Sequence, residues 1–536
     1  MNKTNVGKLS LLAAIFSFGL VGCFATPKHL QIDQQLQILS EDRIKAQKNV
    51  EPVGSLLTFN EAVARGLKYN LDHRAKMLEQ AIALGAYDLS KFDMLPKILS
   101  TAGYNYRNNF FITDARGAYS GNPSLNEPFV SSAKESSQYG LALNWNILDF
   151  GVSYFTARQN ADRILVASER RRRTMHVLVQ DIQSAYLRAA AAQKLKSNIE
   201  ATIKDATEAL ESSRAGEVRG LKSPLDALRY QKTLLDNIKI LSLIDQDLST
   251  ARVELNQLIN LPAKSDFKLE DPESLPVPHS YTNAQVEDFE LRAMVANADL
   301  KESIYNARIA VEETRKSLLR LFPGLTFNTG MQRSTNSYYI NKDWVESSAN
   351  ISFNFLNLLS APTAIKNADQ NKELAAQKRM MMQMAILSQV HLSKIQLGNT
   401  NALYQQSSQI DTVDKRIAEI TTQKYQQGKA SKAEKVSADS SYIISKLRKF
   451  QALSQLFAAS GKMQATTGLE PNFKSLDEIS LPELTAKVNE TFNAWNSGNL
   501  PEIAVVGDVQ TKPVEATKVE GVNVSADAPK EVAKSE

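Results

Sequence analysis

The sequence predicts a mainly α-helical chain with a membrane β-barrel portion, built from two tandem copies of one unit. Three observations predict this fold class: a secretion signal at the N-terminus, short segments that alternate large apolar with small or polar residues, and helical patterns longer than globular proteins use. At 536 residues the chain exceeds the usual size of one compact core. We therefore expect an elongated repeat architecture.

The N-terminus has the parts of a bacterial secretion signal. Lys3 and Lys8 are followed by an apolar run that ends in Leu-Val-Gly-Cys at 20–23. The run is too short to span a membrane as a helix. Cys23 is the only cysteine, and the motif resembles a bacterial lipobox, which implies cleavage after residue 22 and acylation of Cys23, for instance with palmitate. The alternative is an ordinary signal peptide cut near Ala25, with Cys23 incidental.

Localisation and bulk charge give two further expectations. Phe24 follows the lipobox in place of the Asp that often retains lipoproteins at the inner membrane, so we expect a lipid anchor at the outer membrane. The net charge is +5. It falls to about +3 without the signal lysines, and no basic patch is interleaved with aromatic residues, so nucleic-acid binding is not indicated. The arginine run at 170–173 is interpreted as a solvated helix face.

Several short segments alternate with a period of two residues, as β-strands do. The clearest one places small or polar residues at 140, 142, 144 and 146, and its other face carries Tyr139, Leu141, Leu143, Trp145 and Ile147. Weaker or similar alternation occurs at 98–106, 325–332 and 350–355. Apolar residues outside and polar residues inside are typical of a water-filled barrel wall. The alternative is a soluble sandwich whose polar face meets solvent outside.

The helical segments are long and the sequence repeats itself. Neither Gly nor Pro occurs between Gly151 and Gly216, and one helix of this length would extend about 96 Å. Motifs of the first half return in the second: Leu95-Pro96 as Phe322-Pro323, Trp145-Asn146 as Phe353-Asn354, Gly220 with Ser223 as Gly428 with Ser431, and Leu261 as Leu469. The first pair has an offset of 227 residues and the others 208. The loop between the strands is therefore longer in the first copy, which indicates an exposed tip.

This repeat divides the chain into five predicted parts. They are a lipoprotein signal peptide at 1–22, an N-terminal tether at 23–56, a first repeat at 57–268, a second repeat at 284–471, and a largely disordered tail at 472–536. Each repeat is expected to form a helical hairpin about 96 Å long. The hairpin turns carry matching glycines for left-handed helix ends and predicted capping boxes: Gly220, Ser223 and Asp226 in the first, and Gly428, Ser431 and Glu434 in the second.

In their order and duplication these motifs resemble the TolC family of outer-membrane factors. The resemblance is carried by Leu-Thr-Phe-Asn-Glu-Ala at 57–62, by Leu95-Pro96 and Phe322-Pro323 at the entries to predicted strands, and by Tyr-Gln-Gln-Gly-Lys-Ala-Ser at 425–431. It implies a homotrimer in which four strands per subunit close a twelve-stranded barrel above an α-helical periplasmic tunnel. It further implies the outer-membrane channel component of a tripartite efflux pump or type I secretion system, which conducts passively.

The same resemblance implies partners and gate residues. The partners are a periplasmic adaptor (membrane fusion) protein and an inner-membrane pump or ABC exporter. Candidates for the links that hold the tunnel entrance shut are Lys222, Asp226, Tyr425 and Lys429, at the hairpin tips. The alternative is that these residues are only helix caps and surface charges.

No chemistry of catalysis is predicted. The five histidines are scattered, and the chain lacks a P-loop, a dinucleotide-binding fingerprint and a nucleophile elbow. We therefore expect no catalytic residues, no metal, no cofactor and no enzyme activity. Two rival functions stay open: a periplasmic adaptor, which would have one hairpin flanked by β-rich modules, and a lipid-anchored coiled-coil scaffold without a pore.

Overall fold

A computed structural model of the protein describes residues 29–498 except 124–126, 220–222, 264, 279–280, 282–283, 472–475 and 477. The helices are α1 (Ile32–Gln47), α2 (Phe59–Tyr69), α3 (Leu71–Phe92), α4 (Ile147–Val218), α5 (Pro224–Leu258), α6 (Val286–Ala296), α7 (Ala298–Leu319), α8 (Leu356–Gln426), α9 (Lys432–Thr467) and α10 (Leu481–Asn496). The strands are β1 (Leu56–Leu57), β2 (Lys97–Tyr106), β3 (Phe111–Thr113), β4 (Phe129–Ser132), β5 (Glu135–Asn146), β6 (Lys268–Leu269), β7 (Gly324–Ser334) and β8 (Asp343–Ser352). Within this part of the chain, no helix is both long and apolar enough to cross a membrane.

One series of elements occurs twice with nearly equal lengths. Helices α2 and α3 have 11 and 22 residues, and so do α6 and α7. Two long strands follow in each copy, with the short pair β3 and β4 between those of the first copy, then a helix of 72 or 71 residues, then one of 35 or 36. The predicted fold class, mainly helical with tandem strand–strand–long-helix units, is therefore confirmed.

The four long strands form one antiparallel sheet in the order β2-β5-β7-β8. Pairing of β5 with β7 joins the two repeats, with Leu141 opposite Met331. Strands β2 and β8 lie at the two edges. The predicted strands at 98–106, 139–147 and 325–332 agree with this sheet, and the weakly patterned segment after Pro96 is a full strand of 10 residues. The prediction at 350–355 is wrong in position, because β8 ends at Ser352 and only its last three residues fall in that segment.

The prediction of two hairpins 96 Å long is wrong for one arm of each. Helices α4 and α8 extend about 108 Å, but α5 and α9 extend only about 53 Å. The chain turns away after α5 at Asn260, with φ 56°, and after α9 at Gly468, with φ 70°. These positions are 208 residues apart, the offset of the repeat. The part of each long helix that has no return helix beside it packs against α3 and α7. The prediction of a simple hairpin did not include this packing.

The main core lies near the middle of α4, where α2, α9 and α10 converge on it. The Phe59 ring is 5.4 Å from the ring of Tyr186, 5.3 Å from Phe457 and 5.9 Å from Phe492. Helix α2 begins after Thr58, whose hydroxyl accepts a bond from the Glu61 amide at 3.2 Å. These rings fix α2 against the long helix.

The predicted disorder of the tail at 472–536 is wrong for residues 481–496. These residues form α10, and its buried side chains recur at helical spacing: Leu481, Leu484, Val488, Phe492 and Trp495. The Trp495 indole donates to Ser460 Oγ at 2.8 Å. Averaging the composition over the whole tail hid this apolar stripe. Residues 499–536 lie outside the described part of the chain.

The predicted tether at 23–56 also contains ordered structure. Its residues 32–47 form α1, none of whose side chains is buried. After α1 the chain docks on α2, because the buried Arg65 guanidinium donates to the carbonyls of Glu51 at 2.7 Å and Pro52 at 2.8 Å. The sequence pattern missed this contact because the bonds go to backbone atoms.

The arginine run at 170–173 is not a simple solvated face. Arg172 is mostly buried and pairs with Glu169 at 2.5 Å and Glu470 at 2.8 Å. Its guanidinium also donates to the Ala296 carbonyl at 3.1 Å. The run therefore links α4 to the chain end of the second repeat and to α6, so the predicted solvated face is wrong for Arg172.

Candidate functional site

One end of the molecule carries the four-stranded sheet, which has two chemically different faces. Leu141, Met331 and Val345 lie side by side in register on β5, β7 and β8 and are 52%, 65% and 70% exposed. Such a row of large apolar side chains is costly in water. The face offers a surface that is suited to lipid or to another apolar partner.

The opposite face of the sheet is polar. The Asn144 side-chain amide donates to Asn328 Oδ1 at 2.5 Å, and that of Asn146 donates to Thr326 Oγ1 at 3.1 Å. Asn328 in turn reaches Ser348 Oγ at 3.5 Å. These bonds form a ladder of amides and hydroxyls across three strands, a face that is suited to contact with water.

The other end of the molecule carries the two hairpin tips. In the second tip, Gly428 has φ 71°, a conformation that favours glycine because it has no Cβ. Ser431 caps α9: its hydroxyl accepts from the Glu434 amide at 3.2 Å, and the Glu434 carboxylate accepts from the Ser431 amide at 2.7 Å. The bond from the Ser431 amide holds the pKa of Glu434 below its usual value. The predicted capping box of the second tip is present.

In the first tip, the predicted capping box is absent. Gly220 and Lys222 lie outside the described residues, as does Cys23. Ser223 precedes α5, but its side chain makes no capping bond. Its backbone angles, φ −53° and ψ 130°, differ from φ −78° and ψ 158° at Ser431. The hydroxyl is therefore oriented differently relative to the helix amides, and the predicted capping box with Asp226 does not form.

Three of the gate candidates, Asp226, Tyr425 and Lys429, belong to the described residues, and all three are exposed. Asp226 Oδ1 is 4.0 Å from the Arg229 guanidinium one turn along the same helix, and both side chains are at least 70% exposed. Tyr425 is 37% exposed at the end of α8. Lys429 is exposed in the turn after α8. The structure thus places these side chains near the tips without joining them to one another within the described part of one subunit.

Charged residues that the sequence reading missed join the tips inside the subunit. Lys432 Nζ lies 2.7 Å from Glu208 Oε2, and Lys435 Nζ lies 2.9 Å from Asp205 Oδ2. These pairs connect the start of α9 to α4. A signal for them existed, because two acids three residues apart on one helix face two lysines three residues apart on the other.

Near the first tip, a short hydrogen bond joins the two arms of the hairpin, α4 and α5. The Gln231 side-chain amide on α5 donates to Glu217 Oε2 on α4 at 2.6 Å. Gln231 is buried, whereas Glu217 is in the last turn of the helix. This bond joins the last turn of α4 to the third turn of α5.

Comparison with known proteins adds independent information. The family model of outer membrane efflux proteins matches residues 65–261, which run from α2 to the turn after α5. The resemblance to the TolC family that the motifs indicated is thereby confirmed. No curated protein matches the chain.

Solved structures of outer-membrane proteins share the fold. A membrane protein from Pseudomonas aeruginosa is 14% identical, with a TM-score of 0.60, over 78% of this chain and 92% of that one. The Campylobacter jejuni CmeC outer membrane channel is 13% identical, with a TM-score of 0.59, over 83% and 90%. The Neisseria gonorrhoeae MtrE outer membrane channel is 15% identical, with a TM-score of 0.53, over 75% and 88%. The TolC-like fold therefore extends over both repeats.

Proposed function

We propose that this protein is the outer-membrane channel subunit of a tripartite efflux pump or type I secretion system. The observation that carries the proposal is the sheet, whose apolar face suits lipid and whose polar face suits a wet lumen. The family match and the outer membrane channels among the solved structures support the same function. The protein conducts substrate passively, and its partners supply the energy.

The edges of the sheet support a homotrimer. Strands β2 and β8 have no further strand beside them within the described part of one chain. Unpaired backbone groups are not tolerated in lipid, so such a sheet must close with other copies. Three copies of four strands make a twelve-stranded barrel, and the long helices of the three subunits form the periplasmic tunnel. Acylated Cys23 anchors each subunit in the outer membrane.

At the tips the channel meets its partners, a periplasmic adaptor and an inner-membrane pump or ABC exporter. We propose that Lys222, Asp226, Tyr425 and Lys429 form links between subunits that keep the tunnel entrance closed. The exposure of Asp226, Tyr425 and Lys429 in one subunit leaves these three side chains available for such links. Exposed links contribute only about 0–1 kcal/mol each, so an adaptor could open them.

Conductance of the purified protein in planar bilayers tests the channel function. We expect discrete conductance steps, together with a heat-modifiable trimer in outer-membrane fractions. A periplasmic adaptor or a scaffold without a pore would show neither property. A stable trimer that never conducts, even with its tips altered, would contradict the proposal.

The closing links are tested by the double variant Asp226→Ala, Tyr425→Phe. Its conductance should be higher than that of the wild type, because two links at the entrance are removed. The matched control is Asp236→Ala, Tyr404→Phe, which makes the same changes farther along the same two helices. Equal conductance of the two double variants would show that these residues do not close the entrance.

A further inference from the structure

A cavity of about 240 Å³ lies beside the middle of α4, remote from both the sheet and the tips. It is enclosed by α2, α4, α9, α10 and the segment that precedes α6. Gln183 marks its position on α4, about 54 Å along the helix from the end at the sheet. Neither conduction nor adaptor docking accounts for a cavity at this place.

One side-chain amide oxygen beside the cavity has no hydrogen-bond partner. Gln183 is 3% exposed, and its Oε1 atom is buried without a hydrogen bond. Leaving a buried polar atom unpaired costs about 1–3 kcal/mol. The nearby backbone of Gly461 approaches Gln183 closely, since a Cβ there would lie 3.1 Å from Oε1. The side chain is thus confined next to the cavity, with its amide oxygen left without a hydrogen bond.

The lining combines aromatic rings with neutral amides. The rings are those of Phe59, Phe457 and Phe492, two of which lie 5.3 Å apart. Six side-chain amides also line the cavity: Asn60, Gln183, Gln464, Asn489, Asn493 and Asn496. Asn489 and Asn493 are exposed, so they form the opening. Amides both donate and accept hydrogen bonds, so the lining can match mixed polar groups.

Glu270, the one ionisable residue among the described lining residues, is already engaged. Glu270 accepts a bond from the Phe59 amide at 3.4 Å and another from the Ser274 hydroxyl at 3.4 Å. Among the described residues, the lining therefore contains no lysine or arginine that would select an anion. A ligand for this cavity is neutral, has one apolar side and carries several donors and acceptors.

We propose that this cavity binds a neutral N-acetylated hexosamine, either as the free sugar or as the end of a glycan chain. An acetamido group presents an N–H and a C=O beside a methyl group, which suits amides set among phenylalanine rings. The sugar hydroxyls bond the amides at the opening, and the Gln183 oxygen accepts the hydrogen bond that it lacks in the unoccupied protein. Such sugars occur where the proposed function places this part of the chain, in the periplasm.

Equilibrium dialysis of radiolabelled N-acetylglucosamine against the full-length detergent-solubilised protein tests this inference. We expect saturable binding of one sugar per chain, and weaker binding of glucose, which lacks the acetamido group. Gln183→Leu keeps the side-chain size and removes the amide, so affinity should fall at least tenfold without loss of thermal stability. The control Gln451→Leu, at an exposed position on α9, should bind as the wild type does.

Co-sedimentation with isolated cell-wall sacculi separates the two sources of the sugar. Sedimentation that is competed by N-acetylglucosamine and lost in Gln183→Leu indicates a glycan end, whereas dialysis binding without sedimentation indicates the free sugar. No saturable binding, or equal binding by both variants, would overturn the inference and leave a hydrated cavity. Conductance of the same preparations is measured separately, so a conducting protein without sugar binding contradicts this inference alone.

Discussion

Two glycines show how similar backbone angles can have different consequences. Gly428 in the second tip and Gly468 after α9 have φ values of 71° and 70°. A Cβ at Gly428 would meet no atom within 4 Å, but one at Gly468 would lie 2.4 Å from the Ala296 carbonyl oxygen. Gly468 thus serves two purposes: it ends the helix, and it lets α6 pack closely against that end.

Replacing these glycines with alanine should separate the two effects. Gly428→Ala should cost about 1 kcal/mol, because only the left-handed conformation is penalised. Gly468→Ala should cost at least about twice as much, because α6 must also move away. The free energy of unfolding in denaturant measures both. Equal losses would show that the contact with Ala296 does not contribute.

A single carboxylate, Glu273, ties together segments that are distant in the sequence. Its oxygens lie 2.5 Å from Lys194 Nζ on α4 and 3.1 Å from Lys449 Nζ on α9. Lys449 also reaches the buried Asp411 on α8 at 3.0 Å. Burial alone would raise the pKa of Glu273, but the hydrogen bonds and charges of these lysines lower it to about 2.

This lowered pKa predicts a dependence of stability on pH. The folded pKa lies below the ordinary value of 4.5, so the stabilisation is complete above pH 4.5 and is lost as the pH falls toward 2. Because the group is partly exposed, we expect Glu273→Gln to cost only on the order of 1 kcal/mol at pH 7.

Unfolding measured from pH 7 to pH 2 checks the prediction. The variant should lose less stability than the wild type over the acid range. Glu211→Gln, at an exposed position on α4, is the control and should follow the wild-type curve. A Glu273→Gln curve parallel to the wild type would mean that the lysines do not act through this carboxylate.

At the scale of elements, α10 is an integral part of the fold. Its apolar side chains enter both main clusters, with Leu484 in the one around α2 and Trp495 in the one around α6. The helix begins at Ser480, whose hydroxyl accepts from the Glu483 amide at 3.4 Å. One short helix thus connects the packing of the first repeat with that of the second.

Truncating a buried side chain of α10 should therefore destabilise the whole protein. Leu484 is fully buried, so Leu484→Ala should cost about 2–5 kcal/mol through lost contacts and a residual cavity. Glu490→Ala on the exposed face of the same helix should change stability by less than about 0.5 kcal/mol. Thermal unfolding of both variants measures the difference. A neutral Leu484→Ala would contradict the role assigned to α10.

At the scale of the whole molecule, the sheet decides how the protein meets its surroundings. Leu141 and Gln138 lie on the same strand but on opposite faces. If the sheet closes into the proposed barrel, the first faces lipid and the second faces the lumen. The two faces should then respond differently to the same added charge.

Lysine at each position tests this orientation. Leu141→Lys should destabilise the assembled protein by about 2–4 kcal/mol, because an ammonium group would enter the lipid face. Gln138→Lys should leave assembly unchanged and shift the ion selectivity of the conductance toward anions. The measurements are the temperature at which the trimer dissociates and the reversal potential in asymmetric salt. The opposite pattern would reverse the assignment of the two faces.

The elements themselves could be predicted because their patterns are local. The alternation of large apolar with small or polar residues along 139–146 predicts a strand with two different faces. The absence of Gly and Pro between Gly151 and Gly216 predicts a long helix. The capping box of Ser431 and Glu434 depends on four consecutive residues. It could therefore be predicted, whereas the same prediction at Ser223 is wrong because the backbone angles of Ser223 differ from those of Ser431.

Other features depend on residues that are far apart in the sequence. The ion pairs of Lys432 and Lys435 join helices more than two hundred residues apart. The pairing of Arg172 with Glu470 likewise spans the two repeats. Charges on an exposed helix face look the same in the sequence whether they meet solvent or a partner. The matched spacing of the acids and lysines therefore indicated that they could pair, but not which helices meet.

The sequence by itself determined the duplicated unit, the strands with their two faces, the long helices and the position of the tips, because each depends on the order of neighbouring residues. Only the tertiary structure decided the length of the return helices, the role of α10 and the unpaired amide of Gln183. Those features depend on which distant surfaces meet. Their free energies come from burial and contact between segments, which no local pattern records.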